Sequence, residues 1–76
     1  MSQAEKMFWD HEIYKYFRDH EEDGQIDFPA RRTIWNDWID AMVKDGALPS
    51  SAYDEGIPDH IEDKKFPWNW TPPHFR

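Results

Sequence analysis

Between Pro29 and Gly46 the apolar residues Ile34, Trp35, Trp38, Ile39, Met42 and Val43 recur at the period of an α-helix. Arg31, Arg32, Asn36, Asp37, Asp40 and Lys44 fall mainly on the opposite side. Pro29 suits a first turn, where its missing N–H costs nothing, and Asp27 has the side chain of an N-cap. Gly46 supplies the left-handed residue that stops a helix. A helix over about 29–45 therefore constrains the fold most, and the remaining chain must cover its apolar stripe.

The preceding segment predicts a partner helix over about 4–22. Trp9, Ile13, Tyr16, Phe17 and His20 follow an i, i+4, i+7, i+8, i+11 stripe. Met7, Phe8 and Tyr14 extend apolar character to a second side, and Gly24 ends the helix as Gly46 ends the next. Beyond Leu48, Pro49, Gly56, Pro58, Pro67, Pro72 and Pro73 exclude a long third helix. Ser51-Ala52-Tyr53-Asp54 has the pattern of a capping box opening a short turn, and residues 59–65 allow another. Phe66, Trp68, Trp70 and Phe75 sit in a tail extended by its prolines. The expected architecture is one small all-α domain over 1–76. It comprises a helical hairpin, short extra turns within an irregular 46–76, and a Trp/Pro-rich C-terminal tail packed over the hairpin.

Size sharpens this expectation. A chain of 76 residues buries only roughly 60% of its unfolded surface, so its core must be dense. With no cysteine there is no disulfide to help and no thiolate metal site. Five Trp, five Phe and three Tyr are the material available for the core, or for anchoring a partner. The opening MSQAEKMFWDHE carries acids and no unbroken apolar run, so it does not read as a secretory signal. No stretch approaches the ~20 apolar residues of a membrane span. The expectation is a cytoplasmic protein without membrane contact.

The formal charge is −7. Residues 1–27 hold eight acids against three bases, residues 28–45 three of each, and residues 46–76 five against three. Such a chain is repelled by nucleic acid, and a protein with a basic surface is the expected partner. Asp10, Asp19, Glu21, Glu22, Asp23 and Asp27 are the candidate acidic face, able to stand in for phosphates in a basic groove. Phe8 and Tyr14, off the main stripe of the first helix, are the candidate aromatic anchors. The alternative is an adaptor or structural subunit held by apolar contacts, such as a homodimer through Trp35 and Trp38.

Other chemistries match the residues only in part. Asp19 to Ala30 has the outline of an EF-hand loop, with acids at loop positions 1, 3, 5 and 9, Gly at 6 and Ile at 8. The bidentate Glu that calcium needs at position 12 is Ala30, so the third reading is a degenerate calcium loop. Arg31 and Arg32 stand where a helix-turn-helix protein carries its recognition residues, but Asp27, Asp37 and Asp40 flank them. Histidines 11, 20, 60 and 74 have no metal-ligand spacing. No nucleophile–base ordering or phosphate loop is present, so no catalytic residue, metal or cofactor is expected.

Trp35-Asn36-Asp37-Trp38 running into Lys44-Asp45-Gly46-Ala47-Leu48, with the later Trp70-Thr71-Pro72, resembles a pattern common in short, uncharacterised bacteriophage proteins. The resemblance covers about a quarter of the chain. It implies expression inside infected bacteria and a role in binding and redirecting host machinery, with no catalytic residues and no cofactor. The leading expectation is thus a non-enzymatic inhibitor of a host nucleic-acid-handling protein, such as a nuclease, polymerase, helicase or defence complex.

Overall fold

The computed structural model describes residues 2–68. Its elements are α1 (Gln3–Asp10), a 3-10 helix (Ile13–His20), α2 (Phe28–Lys44), a short 3-10 turn (Ser50–Asp54) and α3 (Asp59–Asp63). The described residues contain no strand, and the all-α reading holds.

Helix α2 forms where the stripe places it, and both ends are built as the sequence predicts. Asp27 Oδ1 accepts from the Ala30 N–H at 3.1 Å, and Pro29 lies in the first turn. At the other end Gly46 adopts φ +77°. Its N–H donates to the Val43 carbonyl at 3.1 Å, and the Ala47 N–H donates to Met42 at 2.9 Å. That bond pair is a Schellman closure. Leu48, directly after it, is buried.

The first helix departs from expectation. Instead of running unbroken over 4–22, it stops at Asp10, and Glu12 adopts left-handed φ 56°, ψ 35°. A 3-10 helix follows, with fewer residues per turn and a longer rise than an α-helix. The break resets the helical phase. Trp9, Ile13 and Phe17 of the continuous stripe stay buried, but its other members do not keep that face. Ile13, Tyr14 and Phe17 turn inward, whereas Tyr16 and His20 turn outward.

Phe8 is fully buried at the centre of the core, with ring centroids 5.2 Å from Trp9, 5.7 Å from Phe17, 5.4 Å from Trp35 and 6.1 Å from Trp38. Tyr14 is also buried, 5.6 Å from Trp9 and 5.7 Å from Phe66. The expectation that Phe8 and Tyr14 are exposed anchors is therefore corrected. A core this small takes large rings from two sides of α1, which buries Phe8, and the 3-10 helix after the break turns Tyr14 inward. Trp35 and Trp38 are likewise buried within the chain, which removes the stripe that a dimer would have shared.

The start of the tail covers the core as expected. Phe66 is buried against Trp9, Tyr14 and Phe17, and Trp68 packs partly buried against Phe66 at 5.7 Å. Trp70, Pro72, Pro73 and Phe75 lie outside the described residues.

Candidate functional site

The acids of the candidate face do not act together. Glu21, at the end of the 3-10 helix, is 5% exposed and belongs to the interior. Its Oε2 accepts from Arg31 Nε at 2.6 Å and its Oε1 from Arg31 Nη2 at 2.6 Å. Arg31 is itself fully buried. Its Nη1 donates to the carbonyls of Ile61, Glu62 and Lys64 at 2.8, 3.0 and 2.8 Å. These are acceptors at the C-terminal end of α3 that have no partner inside so short a helix. The guanidinium lies 4.9 Å from the Phe17 ring centroid and 5.0 Å from that of Phe66. Glu21 is thus an internal strut and cannot face a partner. Arg31 is not placed to read DNA, and exposed Arg32 is paired with Glu62.

The calcium outline dissolves for the same reason. Both Glu21 oxygens are occupied by Arg31, Asp23 Oδ1 accepts from the Gln25 N–H at 3.0 Å, and Asp27 Oδ1 caps α2. Calcium requires six to eight oxygens converging on one point. Among the described residues no group of three or more His, Asp or Glu is placed to hold a metal.

Four of the six acids remain at the surface in a usable sense. Asp10, Asp19, Glu22 and Asp23 are exposed, whereas Asp27 is half-buried by its capping role. Asp19, Glu22 and Asp23 have no basic partner among the described residues, in contrast to Glu12, Asp40 and Glu62, which pair with Lys15, Lys44 and Arg32.

An open groove of about 400 Å³ lies between the 3-10 helix and α2. Ile13, Ile34 and Trp38 give it an apolar floor, and the exposed Tyr16, Asp19 and Asp37 stand at its edges, with His20 alongside. Asp37 also has no partner among the described residues. Trp38 is nine-tenths buried, and its Nε1 is a buried side-chain nitrogen without a hydrogen-bond partner among the described residues. Sequence reasoning did not find this groove. Its aromatic edge, Tyr16, was assigned to the core stripe and is 61% exposed instead.

A second cluster joins α2 to the 3-10 turn. Asp40 accepts from Lys44 Nζ at 2.9 Å and from the Tyr53 hydroxyl at 2.7 Å. The bond from Lys44, then that from Tyr53, holds the Asp40 carboxyl below its ordinary range. The same bonds raise Lys44 and Tyr53 above theirs. All three groups move away from neutrality, opposite to what a general acid or base working near pH 7 requires. The cluster ties two elements together and does not prepare a proton transfer.

No helix among the described residues is long and apolar enough to cross a membrane. No protein-family model matches the chain, and no curated protein or solved structure shows significant similarity to it.

Proposed function

We propose that this chain is a non-enzymatic acidic protein, encoded by a phage and active in the bacterial cytoplasm. It docks on the basic surface of a host nucleic-acid-handling protein and inhibits it by occupying a phosphate-binding face. One observation carries the reading. Asp19, Glu22 and Asp23 stand exposed, and without a basic partner among the described residues, at the turn that ends the 3-10 helix. The buried Arg31–Glu21 pair withdraws one charge of each sign and so leaves the net negative balance of the chain in place. Carboxylates so placed steer association with a positive partner and compete with phosphates for it. The phage origin rests on the segment from Trp35 to Leu48 and on Trp70-Thr71-Pro72.

The deciding experiment is affinity capture from a bacterial lysate at low and high salt, with mass spectrometry of the bound proteins. Recovery of one nucleic-acid-handling complex, released at high salt, supports the proposal. The paired reversal Glu22→Lys and Asp23→Lys then slows association by roughly tenfold at low salt. A partner whose affinity is indifferent to both salt and reversal overturns it. Glu21 is excluded from that variant because its loss unpairs Arg31.

A further inference from the structure

We propose that the groove between the 3-10 helix and α2 receives an arginine side chain from a basic segment of the partner protein. This rests on the function proposed above and assigns it a contact site. Asp19 comes from the 3-10 helix and Asp37 from α2, so two independently placed carboxylates border one groove. Both are exposed, and neither has a hydrogen bond or ion pair among the described residues. Other acids on these elements have found cations within the chain: Glu12 holds Lys15, and Asp40 holds Lys44. The negative charge at the groove has been left for something outside it.

Between the carboxylates the surface is apolar and aromatic. Ile13 and Ile34 suit an alkyl stem, and Tyr16 offers an exposed ring on which a planar cation can stack. Trp38 adds a largely buried indole to the floor. The volume of about 400 Å³ lies within the range of small-ligand sites.

Arginine fits these walls better than lysine. Its guanidinium is flat, weakly hydrated and able to bond a carboxylate through two N–H groups. The same chain already holds a guanidinium in this manner: Arg31 lies between Phe17 and Phe66 with Glu21 on its edge. The groove repeats that combination of ring and carboxylate on the surface, in Tyr16 with Asp19 and Asp37.

The test titrates the blocked peptide Ac-Gly-Arg-Gly-NH2 onto the intact protein at low salt, followed by amide and indole NMR signals. Binding is expected in the millimolar range for so small a probe, on the order of what its few buried atoms allow. The shifts should centre on Tyr16, Ile34, Asp37 and the Trp38 indole. The double variant Asp19→Asn/Asp37→Asn should weaken binding about tenfold, since two charge-assisted contacts are lost. The double variant Asp54→Asn/Glu55→Gln removes the same charge from exposed positions elsewhere and should change it less than twofold. Equal weakening by the two doubles, shifts spread over all the acids, or no binding overturns the groove. Equal binding of the lysine or citrulline peptide overturns the assignment to arginine. Lysate capture with Asp19→Asn/Asp37→Asn separates this inference from the one beneath it. Partner recovery equal to wild type rejects the groove and leaves the acidic-protein reading standing. No salt-sensitive partner for wild type rejects that reading itself, whatever the peptide does.

Discussion

Arg31 and Glu21 meet through two parallel 2.6 Å hydrogen bonds in the interior, although ten residues and a turn separate them in sequence. Arg31 spends its remaining reach on three carbonyls of α3 and the chain just after it. One side chain of α2 therefore ties together the 3-10 helix, α3 and, through its ring contact, Phe66. Removing either partner leaves a buried charge without its counter-ion, which costs about 3–5 kcal/mol. Glu21→Gln and Arg31→Met should each lose that much stability in urea denaturation. Arg31→Lys should not rescue, because an ammonium lacks the fork that serves both the carboxylate and the carbonyls. A loss below about 1 kcal/mol for Glu21→Gln would show that the pair is not structural.

Aromatic residues of the first segment should sort by burial and not by the continuous helical stripe. Phe8→Ala opens a cavity among four rings and should cost about 3–5 kcal/mol. That is most of what a domain of this size has available. Tyr16→Ala, at 61% exposure, should stay within about 0.5 kcal/mol of wild type in the same denaturation series. Comparable losses at the two positions would return Tyr16 to the core and close the groove it borders.

The contrast between α2 and the first segment shows what could be read from the sequence. Helix α2 was legible because each of its determinants is local: Asp27 and Pro29 open it, one apolar period sustains it, and Gly46 closes it. The short turns after Leu48 were legible through proline in the same way. The break at Glu12 was not, since no glycine, asparagine or proline marks the left-handed residue there. With it went the facing of Tyr14, Tyr16 and His20, and so the groove, although Phe17 keeps the inward place the stripe gave it. Arg31 was misread for a different reason. Its spacing of four from Trp35 and seven from Trp38 puts it within the apolar stripe, but as a charged residue it was set on the opposite side, and the partners that permit its burial are Glu21 and carbonyls some thirty residues away. Composition gave the acidic surface correctly but could not say that Glu21 would be withdrawn from it.

Glu12 itself offers a stabilising substitution. A left-handed conformation costs an L-residue with a side chain about 1 kcal/mol, and glycine adopts it without that penalty. The exposed Glu12–Lys15 pair that would be lost contributes little. Glu12→Gly should therefore raise stability by about 0.5–1 kcal/mol, or several degrees in Tm for a domain of this length. A lowered Tm in a calorimetric scan would mean that the carboxylate, and not the backbone, holds the junction.

The Asp40 cluster predicts a pH signature with opposite signs at its two ends. Asp40 titrates lower in the folded chain than in the unfolded one, so its bonds contribute in full above about pH 4 and fade as pH falls through the folded value. Lys44 and Tyr53 titrate higher when folded, so their contributions are present below about pH 10 and fade as pH rises through their folded values. The trio is intact between those limits. Solvent screens it, so its direct readout is titration and not stability. Following the Asp40 carboxyl by NMR, Lys44→Met should raise its midpoint, and Tyr53→Phe should raise it by less, because the lysine bond is the larger cause. Asp40→Asn should bring the Tyr53 phenol back down in an ultraviolet titration. An Asp40 midpoint unmoved by either variant would show that α2 and the 3-10 turn are not joined through this carboxylate in solution.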